Sequence, residues 1–195
     1  MSMRILAATL AVAIAPQLAA AQAATPTAAA QPAAQPAAPV ANPVATAFRT
    51  GATRAGKNLM DAADDMPADR YGFKPTAAQM SFADIMVHLA EGNDFLCGKI
   101  GGMAAPTRTK VAATAGKDAL VARLKETFAF CDQALANVDD SKLAETMQLF
   151  GPRQYTRAET MFITTGDWAD HYSQVAIYMR LNNLVPPTAK KKPAA

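Results

Sequence analysis

Four stretches of this chain place apolar residues three and four positions apart; proline or glycine stops three of them, and a loop with Asp139-Asp140-Ser141 follows the third. That spacing lines one face of an α-helix. The first stretch opens at Asn42-Pro43, a capping residue followed by proline at the first helical position, and runs to about Asp65 before Met66-Pro67. The second opens at Ser81 with Asp84 three residues on, a capping-box pattern with the shorter acid. Its inward candidates are Phe82, Ile85, Leu89 and Leu96, with His88 on the edge of that stripe, and it stops near Gly101-Gly102. The third, Lys117 to Ala136, repeats Leu120, Leu124, Phe128 and Cys131. The fourth opens on the capping box Thr156-Arg157-Ala158-Glu159 and keeps its period through Met161, Thr165, Trp168, Tyr172, Val175 and Met179 to about Asn183. Between the third and fourth, residues 142–149 read as a short helix or strand, and no convincing strand pair or internal repeat stands out. The fold class is therefore all-α, a four-helix bundle with long crossover connections.

The ends have another character. Arg4, the apolar run Ile5 to Ala15 and the small residues around Ala21-Gln22-Ala23 read as a signal peptide over residues 1–23. The run is short for a membrane span, so no stable span is expected after cleavage, and the mature protein is expected in the periplasm or secreted. Residues 24–41 are almost wholly Ala, Pro, Gln and Thr, a composition that forms no packed core and suits a flexible leader. The bundle is expected over residues 42–187, and residues 188–195 form a basic tail with Lys190, Lys191 and Lys192. Nineteen basic residues less Arg4 and those three leave 15 against 16 acidic ones, about −1 for the folded part. With no basic stripe interleaved with aromatics, nucleic acid is not an expected partner.

Cys97 and Cys131 are the only cysteines. They read either as a disulfide formed in an oxidising compartment or as two buried thiols. Both lie toward the C-terminal ends of their helices, so a bridge fits better if those helices run parallel, joined by a long crossover through residues 101–116. A redox role for the pair is a weaker reading.

His88 and His171 are the only histidines. Asp167 precedes His171 by four residues, which stacks the two side chains on one helix face. If the helix carrying His88 packs there, two imidazoles and one carboxylate converge as an open ligand set for a divalent metal. The structural alternative is a helix-stabilising Asp167–His171 pair beside a half-exposed His88. Glu91, Asp94 and Asp170 are candidates for orienting an imidazole, with surface solvation the commoner role for each, and Gln174, on the same side as Asp167 and Asp170, is a candidate for holding a ligand or the bundle. The ten methionines are scattered, which suits core filling better than copper binding.

Three stretches carry a family resemblance. They are M-P-A-D-R-Y-G-F-K-P-T (66–76), S-F-A-D-I-M-V-H-L-A-E-G-N-D-F-L-C (81–97) and D-H-Y-S-Q-V-A-I-Y-M-R-L-N-N-L-V-P-P (170–187). Together they resemble the DinB family, also called the damage-inducible or YfiT-like superfamily, over most of residues 43–187. The resemblance implies a four-helix bundle with long crossovers and a three-histidine site for zinc, nickel or a similar ion such as iron or manganese. It also implies, for some members, transfer of low-molecular-weight thiols, whose reduced forms are scarce outside the cytoplasm. His88 and His171 match family ligand positions. Asp167 stands where the family commonly has histidine, and Ser173 replaces the usual glycine. Two readings follow: an exported, metal-dependent hydrolase or transferase acting on an unidentified small molecule, or a non-catalytic helical module whose metal site has decayed. A homodimer is compatible with either.

Overall fold

The computed structural model describes residues 40–191. The expected signal peptide, nearly all of the leader, and Lys192 lie outside the described residues. Four helices dominate: α1 (Pro43–Asp65), α2 (Phe82–Gly101), α3 (Lys117–Leu135) and α4 (Arg157–Leu181). Single 3₁₀ turns and one small hairpin join them. Among the described residues no helix is long and apolar enough to cross a membrane.

Helix directions follow from the contacts. Asn93 meets Thr127, Cys97 meets Cys131, and a side chain added at Gly101 would strike the backbone of Ala134. Both series climb together, so α2 and α3 run parallel. Lys117 at the start of α3 donates to the Asp64 carbonyl at the end of α1 (2.6 Å), which makes α1 and α3 antiparallel. Tyr178 near the end of α4 donates to the Met80 carbonyl just before α2 (2.9 Å), so α2 and α4 are antiparallel as well. The order is up, down, down, up. Adjacent helices are α1 with α3 and α4, and α2 with α3 and α4, leaving α1 and α2 on one diagonal. Residues 102–116 return the chain along the bundle between the parallel α2 and α3, the arrangement that a bridge between the cysteines fits better. Cys97 and Cys131 are joined in a disulfide, with Cα atoms 5.1 Å apart.

The core is built on the expected stripes. Phe82, Ile85, Leu89, Leu124, Val175 and Met179 are fully buried. Trp168, 1% exposed, lies between Phe48 (6.4 Å between ring centroids) and Phe128 (5.9 Å). Gly56 is required there, because a Cβ would come within 2.8 Å of the Phe128 ring.

Two expectations are corrected. Asn42 does not cap α1 with its side chain; its backbone is left-handed (φ 50°). The first amides of α1 are instead taken by Asp140, whose carboxylate accepts from Val44 (3.0 Å) and Ala45 (2.8 Å), while Asn42 Oδ1 accepts from the Asp140 amide. A carboxylate from a remote turn satisfies orphan donors and suits the positive helix end. The second correction is a strand pair: β1 (Thr146–Gln148) pairs antiparallel with β2 (Gln154–Thr156), Met147 opposite Tyr155. Gly151 supplies the left-handed turn residue (φ 62°). Thr156 ends β2 and at once caps α4 by accepting from the Glu159 amide, so the hairpin is clamped onto the helix start. Buried Arg157 adds a 2.6 Å ion pair to Glu145.

In the tail, Lys190 bonds Asp65 at 2.6 Å, and the carboxylate hydrogen bond holds its pKa above the ordinary lysine value. This ties the residues after α4 to the end of α1.

Candidate metal centre

The three residues singled out by the sequence come together in the seam between α2 and α4. His88 and Asp167 are 79 residues apart in the chain, yet His88 Nε2 lies 3.4 Å from Asp167 Oδ1. His171 Nε2 lies 3.3 Å from the same oxygen. The two imidazoles meet edge to face, ring centroids 4.6 Å apart. One ligand atom from each residue falls within 4.8 Å of the others. The Asp167–His171 step is the expected helical one. Antiparallel packing of α2 on α4 supplies His88.

The register of that packing is set by a residue the sequence reading passed over. Asn93 is buried (1% exposed) one turn beyond His88. Its Oδ1 accepts from Trp168 Nε1 (2.8 Å), and its Nδ2 donates to Thr127 Oγ1 (3.2 Å). One amide thus ties α2 to both α3 and α4, next door to Asp167. The only signal in the sequence was a polar residue on the apolar stripe, four after Leu89 and three before Leu96. Gly92 lies between, and a Cβ there would stand 3.9 Å from Asp167 Oδ2, in ordinary contact.

Burial is graded across the site. The His171 side chain is 10% exposed, Asp167 25% and His88 48%, so the constellation opens to solvent on the His88 side. Burial works to raise the Asp167 pKa, but hydrogen bonds and charge from His171 and His88 outweigh it and hold the carboxyl below its ordinary value. The hydrogen bond that His171 donates to Asp167 raises the His171 pKa against the opposing effect of burial, with charge from Asp167 and Asp170 adding to it. Asp167 is thus held as a carboxylate.

The donor set fits a divalent ion. Imidazole and carboxylate are the ligands that first-row metals take in open sites. A tetrahedral site with bonds of roughly 2.0–2.1 Å has edges of about 3.4 Å. The two Nε2–Oδ1 separations match that edge and exceed the roughly 2.7–2.9 Å of a well-made charged hydrogen bond. His171 Nδ1 is buried with no partner, so the ring lacks the outer hydrogen bond that usually orients a ligating histidine. Of the three carboxylates considered for that role, Asp170 accepts from Gln174 (2.8 Å) and Asp94 is paired with Arg108 (2.7 Å). Glu91 is exposed. Ser173 bonds the Ala169 carbonyl (2.9 Å) within its own helix.

The comparisons agree with this architecture. A search of the curated proteins returns no match. Among solved structures, a DinB-like protein from Bacillus subtilis superposes with a TM-score of 0.60 at 16% identity, covering 75% of this chain and 99% of that one. A conserved protein from Enterococcus faecalis gives 0.57 at 18% identity, covering 71% and 96%. A mutant of a mycothiol-dependent maleylpyruvate isomerase gives 0.56 at 13% identity, covering 67% and 60%. At these identities the likeness concerns the fold. The family model described as the DinB superfamily matches residues 52–175, a span that contains His88, Asp167 and His171. The chain belongs to the DinB superfamily.

Proposed function

We propose that His88, Asp167 and His171 hold one divalent metal ion, and that the protein is an exported metal-dependent hydrolase or transferase acting on a small molecule. The observation that carries this is the convergence of two imidazole nitrogens on one carboxylate oxygen, at the edge length of a small coordination polyhedron. When bound, such an ion supplies Lewis acidity and lowers the pKa of a bound water or thiol. The chain's own part is to orient the donors. Asp167 places its oxygen toward both rings, the α2–α4 packing fixes His171, and half-exposed His88 leaves the approach open. The isomerase among the structural neighbours uses mycothiol by its name, which makes a thiol one candidate co-substrate and water the other.

Export rests on the amino-terminal sequence: Arg4, the apolar run and the small residues at 21–23. The Cys97–Cys131 bridge is in keeping with an oxidising compartment.

A second reading has its own support. Asp167 stands where the family commonly has histidine, and its lowered pKa beside the raised one of His171 describes an ion pair that needs no metal. One experiment separates the two. Metal analysis of the purified protein, with calorimetric titration by zinc, nickel, iron and manganese, should find one site that His171→Ala abolishes while helicity stays unchanged. No bound metal and no uptake would leave the helical module with a decayed site.

A further inference from the structure

We infer that the aromatic cluster where the hairpin meets α2 is the far wall of a substrate groove, and that it selects small molecules with an aromatic tail about 10 Å from the atoms held at the metal. This rests on the metal reading above and names the substrate class for that site.

His88 and Phe95 are seven residues apart, so they share one face of α2 and are separated by about 10.5 Å along its axis. That face is the side on which the metal centre opens to solvent. Phe150, in the turn of the hairpin, lies against half-buried Phe95 with 5.7 Å between ring centroids, and against Tyr155 at 6.4 Å. Even so, Phe150 is 53% exposed. Three rings thus form an apolar patch that the fold itself leaves partly uncovered, which is the mark of a binding surface. Lys99, one turn farther from His88, sits 5.7 Å from the Phe95 ring centre, and Arg153 sits 4.3 Å from that of Tyr155. Arg153 is matched by Glu159 (2.7 Å).

Gly92 is the second observation. It lies between His88 and Phe95 in the middle of α2, where glycine costs about 1 kcal/mol relative to alanine. A Cβ there would have one neighbour within 4 Å, the Asp167 carboxylate at 3.9 Å. No packing within the chain calls for glycine at this position. Its effect is to leave open space beside the carboxylate, on the line from the metal donors to the rings. Ile163, half-buried on α4 one turn before Asp167, adds an apolar group along the same seam.

The wall is also fixed in place. Gln148 Nε2 donates to the Gly151 carbonyl across the turn (2.7 Å), and the Arg157–Glu145 ion pair holds the base of the hairpin. Side chains on such an element are preformed for a ligand. Phe95 and Phe150 offer ring faces and edges, which an aromatic tail matches by stacked or edge-to-face contact. A polar tail would find no hydrogen-bonding group on either ring.

The test is calorimetric titration of the zinc-loaded full chain with pentanohydroxamate and 5-phenylpentanohydroxamate. Both carry the same metal-binding head and tether, and only the second places a ring at the reach of Phe95. The phenyl compound should bind about tenfold tighter or more. That advantage should be lost in Phe150→Ala and kept in Phe150→Tyr. It is a ratio read within each protein, so a change in zinc uptake does not imitate it. No zinc-dependent binding of either hydroxamate would sink the metal reading and this inference with it. Zinc-dependent binding in which the ring brings no gain, or a gain that survives Phe150→Ala, would leave the metal reading standing and overturn the aromatic wall alone.

Discussion

Removing the Cys97–Cys131 bridge isolates what holds the parallel pair of helices. The cysteines are 34 residues apart, and almost all of that loop is the crossover and its flanking helical turns. Closing it removes about 12.6 cal/mol/K of entropy from the unfolded chain, or about 3.8 kcal/mol at 25 °C. Unfolding about 150 described residues releases about 0.32 kcal/mol/K near the midpoint, so losing the bridge should lower Tm by about 12 °C. Cys97→Ala with Cys131→Ala adds a cavity, because both positions are buried, and its cost should exceed that of reduction alone by about 1–2 kcal/mol. The measurement is thermal unfolding of the oxidised protein, of protein reduced while unfolded and refolded in reductant, and of the double variant. Buried sulfurs also predict that mild reductant leaves the native bridge intact until the chain opens. A double variant melting within 3 °C of the parent would refute the reasoning, since the loop would then be closed in the unfolded chain by something else or never bridged.

Gly101→Ala should destabilise by about 1–3 kcal/mol or prevent folding, because the added methyl strikes the Ala134 backbone and not a movable side chain; the urea midpoint reads this directly. Asn93→Ala strands the buried Trp168 N–H and removes the donor to Thr127 Oγ1, whose hydroxyl still donates to the Leu124 carbonyl. It should cost about 1–3 kcal/mol and weaken metal uptake by loosening the α2–α4 register, as chemical denaturation and zinc titration would show. In the metal-free protein, His171 contributes stability that is full below its unfolded pKa of about 6.5 and lost as pH rises through its higher folded value. Asp167 contributes above its unfolded pKa of about 3.8 and loses this as pH falls through its lower folded value, so His171→Ala should cost most between about pH 4 and 6.5. Metal needs the neutral ring, so apparent zinc affinity should rise by up to about tenfold per pH unit until His171 has lost its proton; a flat profile would exclude His171 as a ligand.

The bundle was legible because helix signals are local. Two capping boxes, four apolar stripes and the stops at Met66-Pro67 and Gly101-Gly102 all act within a few residues of where they are written. The crossover was legible because a covalent bond restricts which helix directions are open. What failed was nonlocal or too short. Asp140 caps a helix that begins 97 residues earlier, and no sequence window contains both. Each strand is three residues long, too few for alternation to register. At the site, the Asp167–His171 pair followed from helical spacing alone. The approach of His88 depended on which helices become neighbours, and that is decided by Asn93, Trp168 and the core around them.

That dependence explains how one helix serves several ends. At 3.6 residues per turn, α4 offers distinct directions to its surroundings. Trp168 and Val175 point into the core, Asp167 and His171 point into the seam with α2, and Phe162, Gly166, Ser173 and Ile177 point outward. The indole of Trp168 is locked by Asn93 one residue from Asp167, so the donors cannot slide along α2 without breaking a buried hydrogen bond. A site carried on such an element is held more narrowly than one carried on a loop. The outward row is under no such restraint. Changes confined to it should therefore leave metal uptake untouched, whereas any change that shifts the indole should move both fold stability and the site.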